Sequence, residues 1–165
     1  MNELFWGKHS VEQSIFYLHG ALHLFDTGTE VEKEVYENEQ YLLTRIKERI
    51  DAEEYPIFVT AGSAEQKKTH IRHNLYLSFC YDALAKITGS LIVFGFGFGE
   101  YDAHIIDAIN EAAHYGQNVP NRLWSIYVGV NSDSGLTHVK EIEGRFQVKV
   151  NAFDARTTGV WGAAG

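Results

Sequence analysis

The hydrophobic positions fall into short runs and helical stripes that alternate along the chain. Ile15, Phe16, Tyr17 and Leu18 form an apolar run ended by His19-Gly20, which predicts a strand near 15–18. Residues 21–38 carry Glu30, Glu32, Glu34 and Glu37 and read as loop. Leu42, Leu43, Ile46 and Ile50 lie at helical spacing and predict a helix over 39–53, stopped by Tyr55-Pro56. A strand at 57–60 and a turn at Ala61-Gly62-Ser63 follow, then a long helix over 65–87 with Ile71, Leu75, Leu77, Leu84 and Ile87 on its apolar stripe. Further strands are predicted at 90–95, 123–130 and 146–150. Helices are predicted at 102–115, closed near Gly116, and at 134–143, with Asp102 as the cap of the former.

Strands separated by helical lengths predict an α/β fold, an open and mainly parallel sheet with helices on both faces. The 165 residues suit one domain over 1–154, followed by a frayed tail over 155–165 that contains Trp161. In such sheets ligands sit beyond the carboxyl ends of the strands. That places His19, Gly20, Ser63, Gly95, Phe96, Gly97 and Asn131 around one expected cleft.

Composition narrows the chemistry. A formal charge of −8 disfavours broad nucleic-acid binding, which needs clustered Lys and Arg. No apolar run reaches the roughly 20 residues of a membrane-spanning helix, and the amino end is not a secretory signal. One cysteine, Cys80, excludes an internal disulfide and a four-cysteine zinc site. A cytoplasmic protein is expected. His70 and His73 share a helical face with Lys67, Lys68 and Arg72, and His19 with His23 lies outside any helix, so no metal is expected.

The segment LIVFGFGFGEYDAHI reads as strand, glycine loop and helix. Gly95, Gly97 and Gly99 allow close approach to a ligand, but Glu100 stands where a dinucleotide fingerprint has its last glycine. Glu100 and Asp102 make contact with a ribose or an adenosine edge easier than contact with phosphate. His19, at the expected strand end, is a candidate general base. Ser63 sits in A-G-S-A, which is not a nucleophile elbow.

YLHGALHLF, PIFVTAGSAEQKKTHIRHNLYLSF and GSLIVFGFGFGEYDAHI, in that order, resemble the later half of sirtuin-like domains over residues 14–131. The likeness is to a bacterial sirtuin-like family related to NAD-cleaving modules of antiphage defence. The resemblance implies a Rossmann-like NAD-binding fold. It implies His19 of the His19-Gly20 pair as catalytic base beside the nicotinamide ribose. Gly95-Phe96-Gly97 would meet the adenosine side of NAD, and Asn131 its ribose. The family's opening strand and pyrophosphate loop have no counterpart in the 18 residues before His19, so the chain resembles the carboxyl-terminal part of a longer protein. The implied activity is NAD glycohydrolysis by the complete protein, with little expected of this chain alone. The alternative is a non-catalytic module that senses a nucleotide or docks on a partner. Expected partners are NAD or a related nucleotide, and either a second copy of the chain or a missing amino-terminal half.

Overall fold

The computed structural model describes residues 3–6, 15–36, 41–114 and 122–159. The chain divides into two compact units, Met1–Tyr81 and Asp82–Gly165.

The first unit is built on a four-stranded sheet in which every pairing is antiparallel. Its strands β1 (Glu3–Trp6), β2 (Gly20–Asp26), β3 (Val31–Lys33) and β4 (Pro56–Phe58) stand in the order β1-β3-β2-β4. Helices α1 (Leu42–Asp51) and α2 (Ala64–His73) follow β3 and β4, and α3 (Leu75–Leu84) begins in this unit. The expected strand at 15–18 is absent, and β2 and β3 occupy the stretch expected as loop. The apolar run is spent on side-chain packing: Phe16 meets Phe79 at 5.8 Å and Tyr17 meets His23 edge-on at 5.3 Å. Gly20, at φ +75°, then turns the chain into β2. The β2–β3 hairpin is closed by Gly28 N–H donating to Asp26 Oδ1 at 2.7 Å and Thr27 N–H donating to Glu30 O at 3.0 Å.

The long helix expected over 65–87 is two helices. Asn74 between them is extended at φ −103°, ψ 127°. Its Oδ1 accepts from Leu77 N at 3.0 Å, capping α3, and its Nδ2 donates to Asp26 at 2.8 Å. Tyr76, Leu77, Cys80 and Tyr81 of α3 are buried. Tyr76 Oη accepts from Tyr17 N at 3.1 Å. Burial pushes the Cys80 thiol above its ordinary pKa.

Helix α1 is tied to the hairpin by charge. Arg45 and Arg49 lie one helical turn apart and converge on Glu34, which is 3% exposed. Arg45 Nη2 is 2.8 Å from Glu34 Oε2. Arg49 Nη1 is 3.1 Å from both Glu34 Oε1 and Glu32 Oε2, and its Nε donates to Glu54 Oε2 at 2.6 Å. The Arg49 guanidinium also lies 4.1 Å from the centre of the Phe25 ring.

The second unit holds a three-stranded parallel sheet, β5 (Gly89–Val93), β6 (Leu123–Val130) and β7 (Lys149–Asp154), in that order. Helix α4 (Ala103–His114) joins β5 to β6, and α5 (Asp133–Ile142) joins β6 to β7. Ile105, Ile109 and Ala112 of α4 share a stripe and are buried, as are Leu123, Ile126 and Val128 of β6. The fold is therefore mixed α/β, and its parallel sheet is confined to this unit.

Three local expectations are corrected here. The last strand begins at Lys149 rather than 146, because Phe146 is buried and packs edge-on against Phe98 at 5.1 Å. Asp102 does not occupy the cap position. A 3₁₀ turn, Glu100–Asp102, runs straight into α4, and Gly99 precedes it. Residues 155–158 are not frayed: Ala155–Thr158 form a 3₁₀ turn with Ala155 buried. Helices on both sheet faces were also expected, yet the paired Ile92 and Tyr127 are 70% and 42% exposed. Residues 39–40, Gly116 and Trp161 lie outside the described residues. Among the described residues no helix is long and apolar enough to cross a membrane.

Candidate functional site

In the second unit β5 delivers the chain into the glycine loop. Gly95 takes φ +71°, a conformation that favours glycine. Phe98 takes φ +50°, rare for a residue with a side chain. Packing holds it there: the ring is 2% exposed and meets Phe96 at 4.9 Å and Phe146 at 5.1 Å, both edge-on. The loop thus has a buried aromatic anchor beside open glycines. A Cβ built on Gly97 would meet nothing within 4 Å.

Strand β6 ends in Gly129-Val130, and Asn131 follows it. A Cβ at Gly129 would fall 3.0 Å from the Phe153 ring and 3.2 Å from that of Phe94, so the glycine lets the neighbouring rings close over the strand end. Ser132 then caps α5, its Oγ accepting from Gly135 N at 3.1 Å. One turn further, the imidazole of His138 reaches back to the glycine loop. Its Nε2 is 2.7 Å from Gly97 O. A carbonyl can only accept, so this ring nitrogen carries the proton.

These elements enclose a cavity of about 230 Å³ beyond the carboxyl ends of β5 and β6. Gly95, Phe96, Gly97 and Asn131, selected from sequence, all line it, and so do Gly129 and His138. Sequence reasoning missed His138. Its bond to the loop spans 41 residues, and a lone histidine on a helix leaves no local signal. A smaller recess of about 210 Å³ at the ends of β6 and β7 is lined by Ser132, Asp133, Asp154 and Arg156, among others. There two hydrogen bonds from the Arg156 guanidinium, together with its backbone N–H, hold Asp154 below the usual carboxylate range.

His19, Gly20 and Ser63 belong to the first unit, where local structure accounts for the latter two. His19 is half-buried in the turn before β2 and precedes a strand instead of ending one. Its carbonyl accepts from Val59 N at 2.9 Å. A Cβ on Gly20 would lie 2.0 Å from Ile57 O, so the pairing of β2 with β4 requires the glycine. Ser63 caps α2 in a reciprocal box. Its Oγ accepts from Gln66 N at 3.3 Å, and its N–H donates to Gln66 Oε1 at 2.9 Å.

The cavity of the second unit offers backbone groups, the Asn131 amide, an oriented imidazole and aromatic walls. That is a recognition set. Among the described residues lining it, His138 is the one titratable side chain. No curated protein and no solved structure matches the chain. The model of a domain of unknown function, DUF4917, matches residues 3–161, and the chain belongs to that family.

Proposed function

We propose that the second unit seats the adenosine part of NAD or a related nucleotide, within a sirtuin-like, Rossmann-like NAD-binding domain. One observation carries this reading. Four residues chosen from sequence for cofactor contact, Gly95, Phe96, Gly97 and Asn131, line a single cavity at the ends of parallel strands. At about 230 Å³ it falls below the roughly 300–1,000 Å³ of drug-sized ligand sites, which suits one portion of a dinucleotide. The carboxylates of Glu100 and Asp102, three to five residues beyond Gly97, favour a nucleoside there over a bare phosphate.

In this reading the chemistry of the complete domain is NAD glycohydrolysis. Water forms a bond to the anomeric carbon as the bond to nicotinamide breaks, and His19 takes the proton that water releases. Little turnover is expected of this chain alone. The second reading, a nucleotide-sensing module without catalysis, is favoured by the one titratable side chain among the described lining residues, His138, being committed to the carbonyl of Gly97.

Calorimetric titration of the chain with adenosine, ADP-ribose and NAD tests the proposal. Saturable binding is expected. Asn131→Ala should weaken it about 3–10-fold, the worth of one hydrogen bond. Gly97→Val should abolish it, while Ser63→Ala leaves it unchanged. Absence of saturable adenosine or ADP-ribose binding overturns both readings. Nicotinamide release by the complete domain then separates them, since turnover lost in His19→Ala supports the glycohydrolase and binding without turnover supports the sensor.

A further inference from the structure

We infer that His138 sets the specificity of the second unit's cavity: its Nδ1 accepts a hydrogen bond from the base and so selects adenine by its exocyclic amine. The inference rests on the nucleotide reading proposed above and adds to it the residue that chooses the base. The other ring nitrogen fixes the tautomer. Nε2 lies 2.7 Å from Gly97 O, so it carries the proton and donates. In the neutral imidazole Nδ1 is then a bare acceptor in the plane of the ring. Two other helical histidines turn Nδ1 onto their own helix. His73 Nδ1 is 2.7 Å from Thr69 O, and His114 Nδ1 is 2.8 Å from Asn110 O, each four residues back. His138 departs from that pattern. It bonds across 41 residues to the glycine loop through Nε2, and among the described residues Nδ1 has no hydrogen-bond partner.

An acceptor held in this way cannot adapt to its ligand. Placing the proton on Nδ1 would strip it from Nε2 and set a lone pair against the carbonyl of Gly97. The adenine amine is a donor and matches Nδ1. The carbonyl that hypoxanthine or guanine carries in its place would bring lone pairs toward another lone pair. The rest of the lining suits a flat, uncharged base. Phe94, Phe96 and three valines supply apolar surface and Asn131 an amide, with no Asp, Glu, Lys or Arg among the described lining residues. Every base presents a π face on which an aromatic ring can stack. Phe96 is steadied for that contact by the buried Phe98 ring, edge-on at 4.9 Å.

Adenosine and purine riboside differ only in that amine, and both are titrated calorimetrically into the full chain and into His138→Ala. The parent is expected to bind adenosine about tenfold more tightly, because purine riboside leaves the acceptor unpaired. In His138→Ala the ratio of the two affinities should fall to about one. A residue that only positions the loop would behave differently: both nucleosides would weaken together and their ratio would stay. That result overturns the inference, and so does equal binding of the two nucleosides by the parent. In both cases the nucleotide reading survives. If neither nucleoside binds the parent, that reading fails and the inference with it. Should alanine abolish binding of both, His138→Gln decides, since its amide can donate to Gly97 O and still offer an oxygen. A preference for adenosine kept in His138→Gln supports the inference, and a preference lost there overturns it.

Discussion

The two units solve the same packing problem with different means. The first pairs short antiparallel strands and fixes a helix to them through Arg45, Arg49 and a buried Glu34. The second stacks three parallel strands around continuous apolar segments, and its Arg156–Asp154 pair is exposed at 68% and 40%. Ionic docking is directional and costly to desolvate, so it fails abruptly when one partner is lost. Apolar packing loses stability in graded steps as side chains are trimmed, and the parallel sheet leaves its strand ends free to carry a glycine loop. The loop at 95–99 and the cavity beneath it sit on that frame.

The largest effect that separates the units is therefore expected at Glu34. Glu34→Ala leaves two guanidinium groups facing each other in a half-buried site. Breaking a buried pair by removing one partner costs about 3–5 kcal/mol. A melt should show a fall of roughly 2–4 °C for each kcal/mol. Amide exchange should accelerate in α1, β2 and β3. If Glu34→Ala melts within a degree or two of the parent, the charge network is decoration and the first unit is held by its apolar contacts.

The glycines give a sharper version of the same contrast. At Gly20 a methyl group would strike a backbone oxygen, that of Ile57, at φ +75°. Neither strand can move without breaking the pairing, so Gly20→Ala should cost about 2–4 kcal/mol. At Gly129 the obstacle is the far edge of the Phe153 ring and the side of the Phe94 ring, and both rings can tilt. Gly129→Ala should cost about 1 kcal/mol. Chemical denaturation of the two variants measures both. Equal costs would show that the second unit is as rigid at its strand ends as the first is in its sheet.

The same difference explains what the sequence reveals. Strand β6 is expected over 123–130 and found at Leu123–Val130, and α5 is displaced by one residue from 134–143. Strand β6 reads as a nearly unbroken apolar run even though Trp124 and Tyr127 on it are exposed. The hairpin of the first unit is obscured because its polar positions are acidic: Glu32 sits on β3, and Glu34 follows it, reserved for arginines one helix away. No local pattern distinguishes such a carboxylate from a solvated one. Asn74 is legible as a polar helical position, but its amide caps α3 and ties it to Asp26, a contact 48 residues distant. In the candidate site the glycines and Asn131 are readable because strand-end chemistry is local. His138 is not, since its role depends on a carbonyl 41 residues away. Ser63 shows how a hydroxyl at a strand end serves the next helix as its cap.

The smallest expected effect concerns the exposed pair of the second unit, and it completes the contrast with Glu34. Asp154 ends β7 and accepts from the Arg156 backbone N–H at 3.0 Å and from its guanidinium at 2.9 and 2.8 Å. These bonds favour the charged carboxylate, so its pKa in the folded chain lies below its unfolded value. For a depressed carboxyl group the linked stability is present above the unfolded pKa and is lost as pH falls through the folded one. Solvent screens this pair, so acid should loosen the Ala155–Thr158 turn locally before it affects the melt. Carboxyl carbon NMR titration should place Asp154 below an ordinary aspartate. Arg156→Gln should return it toward the usual range while the melting temperature barely moves. A large fall in melting temperature for Arg156→Gln would mean that the second unit, too, depends on an ionic clasp, and the contrast between the two units would have to be abandoned.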